Sequence, residues 1–291
     1  MTLAQVLFKA QRPCPYNADM TDRPTALILT APGINCDEEL CEAFMLAGAE
    51  PNRVHINRLA ANPELLDEAD LVGLPGGFSY GDAVAAGRIA AQVIRAHLWD
   101  SLRRAVERGV PMIAPCNGFQ IAVQAGLLPG PDVGASLGDV PPTPQVALVD
   151  NESARFIDRW VRVEYPSETI CIWTQGLDAE STDSVLPIAH GEGRFVSGGL
   201  LESLEQSGRV AVRYAADDDP NGSEGHVAGI CDASGLVMGL MPHPERYTRW
   251  TQHPSWTRLD SDCRQGNPPG LAMFCNAVSW VRSRKSATMQ A

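Results

Sequence analysis

Val110-Pro111-Met112-Ile113-Ala114-Pro115-Cys116-Asn117-Gly118-Phe119-Gln120 is the stretch on which the fold turns. An apolar, strand-like run stops at a cysteine; a glycine follows, then an apolar helical run over residues 119–128. Strand, tight turn bearing a nucleophile, and helix is the order of a nucleophile elbow. The turn lifts the side chain off the backbone, and the amides that open the helix offer donors to a developing oxyanion. Read as packing, the same stretch is a free cysteine closing a core strand, a common place for that residue. The elbow alone supports both readings equally.

Working outward, residues 26–30 read as a short buried strand, followed by a Pro-Gly turn and a helix from about 37 to 47. Residues 54–56 and 70–74 read as further strands, the latter ending at Pro75-Gly76-Gly77. Residues 83–108 have helical periodicity and the length of one bent helix or two. Strands alternating with helices predict an α/β fold with a largely parallel central sheet, whose ligands sit beyond the carboxyl ends of the strands. Gly76, Gly77 and Cys116 all lie there. Residues 130–145 form a Pro- and Gly-rich loop, and 217–225 an acidic one. The second half adds strands at 146–149, 160–164, 170–173, 185–190, 209–214, 227–231 and 236–241, an irregular segment at 251–269 and a closing helix over 271–282.

The 291 residues suffice for one large α/β domain or two smaller ones. Thirty-five acidic against 23 basic residues give a net charge of −12, and no Lys/Arg-rich run occurs, which excludes a nucleic-acid binder. No stretch approaches the roughly 20 apolar residues of a membrane span, so no membrane role is expected. Without a recognisable signal peptide, the eight cysteines are expected to be reduced thiols of a cytoplasmic protein. Cys36, Cys41, His253 and Cys263 form no paired Cys-x-x-Cys set, and no metal ligands are assigned.

Met241-Pro242-His243-Pro244-Glu245-Arg246 follows a strand. Pro244 biases His243 toward an extended conformation, in which residues two apart share a face, so Glu245 can orient the imidazole. That is the base–orienter half of a triad with Cys116; a surface histidine capped by glutamate in a turn is the plainer alternative. Gly76-Gly77-Phe78-Ser79-Tyr80-Gly81-Asp82 supplies backbone that can approach a substrate closely. The N–H groups of Gly77 and Asn117 are the oxyanion-hole candidates. His190-Gly191-Glu192-Gly193-Arg194-Phe195 is a binding loop or a solvated turn, and Asp219-Pro220-Asn221-Gly222-Ser223 is a turn first and a site second. Cys36 also lies near a strand end, but Asp37, Glu38 and Glu39 beside it would disfavour a thiolate, so it is read as structural or substrate-proximal.

In the order of these segments the chain resembles the glutaminase subunits of phosphoribosylformylglycinamidine synthases, which are class I, triad-type glutamine amidotransferases. The resemblance is carried by Gly33-Ile34-Asn35-Cys36-Asp37, the 76–82 loop, Cys116 to Gln120, Asn151 to Phe156, His190 to Phe195, Pro220 to Ser223, and Pro242 to Arg246. It implies a flavodoxin-like amidotransferase domain over 25–291, with 1–24 as an extension. It implies hydrolysis of L-glutamine by Cys116, His243 and Glu245, with Phe78, Gln120, His190, Gly191, Glu192 and Arg194 contacting the substrate. It further implies a partner in the large synthetase subunit, admits a small accessory subunit, and places ATP and Mg²⁺ on the synthetase rather than on this chain. Pro115 departs from the small or aliphatic residue common before the nucleophile. A cysteine-dependent α/β hydrolase or peptidase acting alone, and a non-catalytic binding subunit, remain the alternatives.

Overall fold

The computed structural model describes residues 23–132, 134–177, 184–259, 264 and 266–289. The extension expected over 1–24 lies almost wholly outside the described residues, as does Cys263. The first half runs β1 (Thr25–Thr30), α1 (Asp37–Leu46), β2 (Glu50–His55), α2 (Ile56–Ala61), β3 (Leu71–Gly73), α3 (Arg88–Val93), α4 (Trp99–Glu107), β4 (Met112–Pro115) and α5 (Asn117–Ala125). The second half runs β5 (Ala147–Val149), β6 (Ile157–Glu164), β7 (Val185–His190), β8 (Arg194–Val196), α6 (Leu201–Gln206), β9 (Val210–Tyr214), β10 (Val227–Cys231), β11 (Val237–Leu240) and α7 (Pro269–Met289).

Among the described residues the main sheet has nine strands in the order β2-β1-β3-β4-β11-β10-β9-β6-β7. From β2 to β11 every pairing is parallel; from β11 to β7 every pairing is antiparallel. The extra strands of the second half thus extend the same sheet, while β5 and β8 pair separately. Successive side chains alternate faces along a strand, and two cores follow from that. Leu27, Leu29, Val72, Met112 and Ala114 pack toward α2–α5, whereas Ala26, Ile28, Leu71 and Ile113 pack toward α1 and α7. No helix among the described residues is long and apolar enough to cross a membrane.

Local differences from the sequence reading have local causes. Residues 83–108 form two helices, α3 and α4, bent through a π-turn at Ile94–Leu98. The second strand is Glu50–His55, and Ile56 already starts α2, because pairing with β1 rather than apolar content defines this polar edge strand. The run 170–173 is not a strand. Its amides bond singly to the carbonyls of Gly208 and Gly235, and the Trp173 indole donates to Leu236 O at 2.8 Å. Trp173 plugs the core edge-on to Phe44 and Phe274 at 6.4 and 6.2 Å, contacts worth roughly 0.5–1.5 kcal/mol each beyond burial.

Candidate active site

The elbow forms where β4 meets α5. Cys116 caps α5 with φ 50° and ψ −111°, a conformation that costs a non-glycine residue about 1–3 kcal/mol. Its amide donates to Leu240 O at 2.7 Å, and its carbonyl accepts from Phe119 and Gln120, so both sides of the turn are held. Gly118 lets α5 sit against the end of β3, since a Cβ there would overlap the Leu74 carbonyl oxygen. Pro115 breaks no ladder: Met112 N and Cys116 N bond toward β11, Ile113 O accepts from Leu74 N, and the missing Pro115 N–H would point past the end of β3. The elbow geometry thus tolerates this departure.

His243 and Glu245 stand beyond the end of β11, the neighbour of β4. Glu245 lies in a tight turn, Pro244–Arg246, so the turn rather than an extended chain brings it to the imidazole. His243 Nδ1 and Glu245 Oε1 are 2.6 Å apart, both residues are 2% exposed, and the His243 amide donates to Pro187 O on β7. Burial opposes a charged imidazole here. The Glu245 carboxylate and the nearby thiols of Cys116 and Cys36 outweigh it and hold the His243 pKa well above its ordinary value. With Nδ1 engaged, Nε2 has no hydrogen-bond partner and is the nitrogen able to take a proton.

Cys36 is the unexpected neighbour. Its sulfur accepts from Arg246 Nη2 at 3.0 Å, and its thiol donates to Asn35 Oδ1 at 3.3 Å. Burial pushes this thiol up, while His243 and Arg246 pull the other way. The flanking acids are not the main cause: Asp37 and Glu38 pair with Arg53 at 3.2 Å, and Glu39 lies 3.7 Å from Arg246.

The expected loops converge on Cys116. A cavity of about 210 Å³ is lined by Cys116 together with Gly77, Phe78, Gln120, His190, Gly191 and Glu192. Gly77, at φ +134°, crosses so close to Ile34 and Asn35 that a Cβ would meet their backbone at 2.8 and 2.7 Å. Asn117 ties this loop to the elbow: its Oδ1 accepts from Ser79 N at 3.2 Å and its Nδ2 donates to Gln120 Oε1 at 2.9 Å. Gln120 in turn donates to the Glu192 carbonyl at 2.5 Å. The amides of Asn117 and Gly118 open the first turn of α5, where no intrahelical acceptor exists.

His190 is buried against Asn151 Oδ1 at 3.0 Å, and burial with the nearby His243 lowers its pKa to about 4. Asn151 also donates to His190 O and accepts from Gly193 N, and Asn221 donates to Gly193 O at 2.9 Å. The 151 and 221 turns therefore act as braces for the 190–193 loop. Arg194 is not brought to the cavity; its Nε donates to Asp150 O at 3.1 Å. Asp82, Arg155 and Phe156, which no sequence argument singled out as site residues, do line the cavity. Burial, with the charge of Glu192 added, raises the Asp82 pKa. The signal that could have found Arg155 and Phe156 is the Asn151–Phe156 segment itself. Chemically, a strained thiol, a buried imidazole and a carboxylate on its other nitrogen form a nucleophile–base–orienter set.

Comparison with known proteins agrees with this geometry. A family model described as a CobB/CobQ-like glutamine amidotransferase domain matches residues 23–281. A phosphoribosylformylglycinamidine synthase subunit PurQ from Dehalococcoides mccartyi is 40% identical over 267 residues, covering 88% of this chain and 97% of the relative. One from Corynebacterium jeikeium is 41% identical over 258 residues, with coverages of 88% and 97%. Among solved structures, a chain of PurLQS from Thermotoga maritima superposes with a TM-score of 0.65 at 31% identity, covering 89% of this chain and all of that one. A putative GMP synthase component from Thermoplasma acidophilum, 13% identical with a TM-score of 0.52, shares the fold over 92% of this chain and 99% of that one. The α/β architecture and these relatives agree, and the chain belongs to the glutamine amidotransferase family of phosphoribosylformylglycinamidine synthase PurQ subunits.

Proposed function

We propose that this chain is the glutaminase subunit of a phosphoribosylformylglycinamidine synthase of purine biosynthesis, a cytoplasmic enzyme that hydrolyses L-glutamine to glutamate and ammonia. The observation that carries the reading is the strained Cys116 thiol at the cavity beside an imidazole held by Glu245 at 2.6 Å. The Cys116 sulfur attacks the side-chain amide carbon, and its proton goes to His243 Nε2. The N–H groups of Gly77 and Asn117 receive the oxyanion. His243 then gives its proton to the leaving ammonia as the tetrahedral intermediate collapses to a γ-glutamyl thioester. Water attacks the thioester, losing a proton to His243; glutamate leaves and the thiol is restored. Glu245 keeps the imidazole in the right tautomer throughout.

Glutamine would be held by its head group. Asp82 and Glu192 present carboxylates for its ammonium and Arg155 a guanidinium for its carboxylate, with Phe78 and Phe156, stacked at 6.1 Å, at the cavity. Residues 25–291 would act as one amidotransferase domain. Ammonia would pass to a large synthetase subunit, with a small accessory subunit completing the assembly. ATP and Mg²⁺ would serve the synthetase's amination of formylglycinamide ribonucleotide.

The test is glutamate release by the isolated chain, by the chain with its synthetase, and by the complex loaded with nucleotides. A loop shift of about 2–4 kcal/mol toward the productive state raises the rate roughly 30- to 1,000-fold, so weak hydrolysis alone and strong hydrolysis in the loaded complex are expected. Full activity in isolation, unchanged by the partner, would mark an independent hydrolase. No activity under any condition, from folded protein, would mark a binding subunit.

A further inference from the structure

Cys36, His243 and Glu245 come from opposite ends of the chain, yet one donor atom from each lies within 4.8 Å of the others, and all three residues are buried. A point over Gly76 lies 2.7 Å from His243 Cε1 and 3.3 Å from both His243 Nδ1 and the Cys36 sulfur, so thiol and ring border one small space, and Nδ1 is the ring nitrogen that also meets Glu245, at 2.6 Å. The second oxygen of Glu245 is buried with no hydrogen-bond partner, although buried polar atoms normally have one. Thiolate, imidazole and carboxylate are the donor set that zinc-like cations take at about 2.0–2.3 Å. Tetrahedral ligands at such bond lengths lie roughly 3.3–3.7 Å apart, so the thiol has to close by about an ångström, and His243 Nδ1 and Glu245 Oε1, 2.6 Å apart, have to open by roughly 0.7 Å. The charges balance as well: one thiolate and one carboxylate neutralise a divalent ion, and the adjacent Arg246 has Glu39 at 3.7 Å.

We propose that Cys36, His243 Nδ1 and Glu245 form an inhibitory site for a thiophilic divalent cation such as Zn²⁺. On binding, the Cys36 thiol proton leaves to solvent and the imidazole proton moves from Nδ1 to Nε2. The metal replaces the proton between His243 and Glu245. An imidazole protonated on Nε2 cannot accept a proton from Cys116, so the base is disabled without any bond to Cys116. The inhibition part rests on the glutaminase reading; the binding part does not.

Co²⁺ and Zn²⁺ are the probes, added to the reduced full-length chain. Cys116→Ala should retain a near-ultraviolet thiolate-to-Co²⁺ charge-transfer band of one-thiolate intensity. Cys36→Ala and Cys36→Ser, shown folded by circular dichroism, should lose the band. They should also bind Zn²⁺ at least about tenfold more weakly in chelator competition, the scale of losing a contact that matters to a metal site. Glu245→Gln, with both thiols intact, should weaken Zn²⁺ as well. In the complex, Zn²⁺ should inhibit the wild type at concentrations at least about tenfold below those needed for Cys36→Ser. A band that survives in the Cys36 variants and vanishes in Cys116→Ala would overturn the assignment, as would equal Zn²⁺ affinity in wild type and Cys36→Ser, or no stoichiometric binding to the wild type.

Discussion

Cys36 and Cys116 both follow parallel strands of the same half-sheet, β1 and β4, and both lie against His243. They differ in backbone and in access. Cys116 sits at φ 50° in an elbow and lines the cavity, and beside His243 its thiol has a long contact, 3.5 Å, to Ala189 O. Cys36 has an ordinary φ of −106°, is 1% exposed and does not line the cavity, and Asn35 and Arg246 both engage its sulfur. Nearness to His243 is common to both, and what separates them is backbone and access. The elbow holds one sulfur at the cavity wall through a strained turn, while the other is tied down within the protein. The largest expected effect tests that contrast directly. Cys116→Ala should lower glutamine-dependent amination by the complex roughly 10⁴-fold or more, as for other covalent nucleophiles, and leave ammonia-dependent amination intact. Cys36→Ala should keep activity within about tenfold. Reversed outcomes in folded proteins would exchange the two roles.

The next two changes probe what the thiols share, the imidazole. Removing the Glu245 charge while keeping a hydrogen-bonding group, Glu245→Gln, should cost one to two orders less than losing the nucleophile, because the orienter of a triad is the least costly member to remove. Its loss should fall on kcat more than on KM; a loss in KM alone would place Glu245 in substrate binding. Gly76→Ala is subtler. The new Cβ would stand 2.7 Å from His243 Cε1 and 3.3 Å from the Cys36 sulfur, so the ring must move. A displacement near an ångström at a catalytic group costs up to about 10²-fold. Wild-type rates in Gly76→Ala would mean that the imidazole has slack and that the contrast between the thiols is not one of fixed geometry.

Much of this was legible before the fold was known, and the boundary of legibility is physical. The elbow could be read because an apolar run, a turn glycine and an apolar helix are local signals. The His243–Glu245 pair could be read because its partners are two residues apart, although a turn rather than an extended chain joins them. The antiparallel wing β10-β9-β6-β7 could be read as strands but not placed, since its order depends on pairings between distant segments. Residues 170–173 misled because β-type apolar residues also suit a loop that seats Cys171 and Trp173 in the core while Ile170 stays exposed, and only the neighbouring carbonyls of Gly208 and Gly235 decide which. Arg194 shows the limit from the other side: the motif puts a charge beside the site, and only the fold shows that its Nε is engaged by the carbonyl of Asp150 at the cavity wall. Cys36 facing His243 joins opposite ends of the chain, and no spacing rule could have announced it.

The smallest expected effect concerns the second buried histidine. His190 has its pKa lowered to about 4 by burial and by His243, against about 6.5 in an unfolded chain. Between those values the unfolded state holds the proton more often than the native state does. The stability that His190 contributes is thus complete above pH 6.5 and is lost as pH falls toward 4, amounting to about 2 kcal/mol between pH 7 and 5. His243 has the opposite sign, because a raised native pKa favours folding at low pH, so total stability curves would mix the two. The difference between wild type and His190→Gln isolates the term, since glutamine keeps an amide able to bond Asn151 and does not titrate. Urea midpoints should fall more steeply from pH 7 to 5 for the wild type than for the variant. Parallel curves would show that the histidine ionises in the folded protein as easily as in water, and that the loop braced by Asn151 opens to solvent where the Cys116 elbow stays shut.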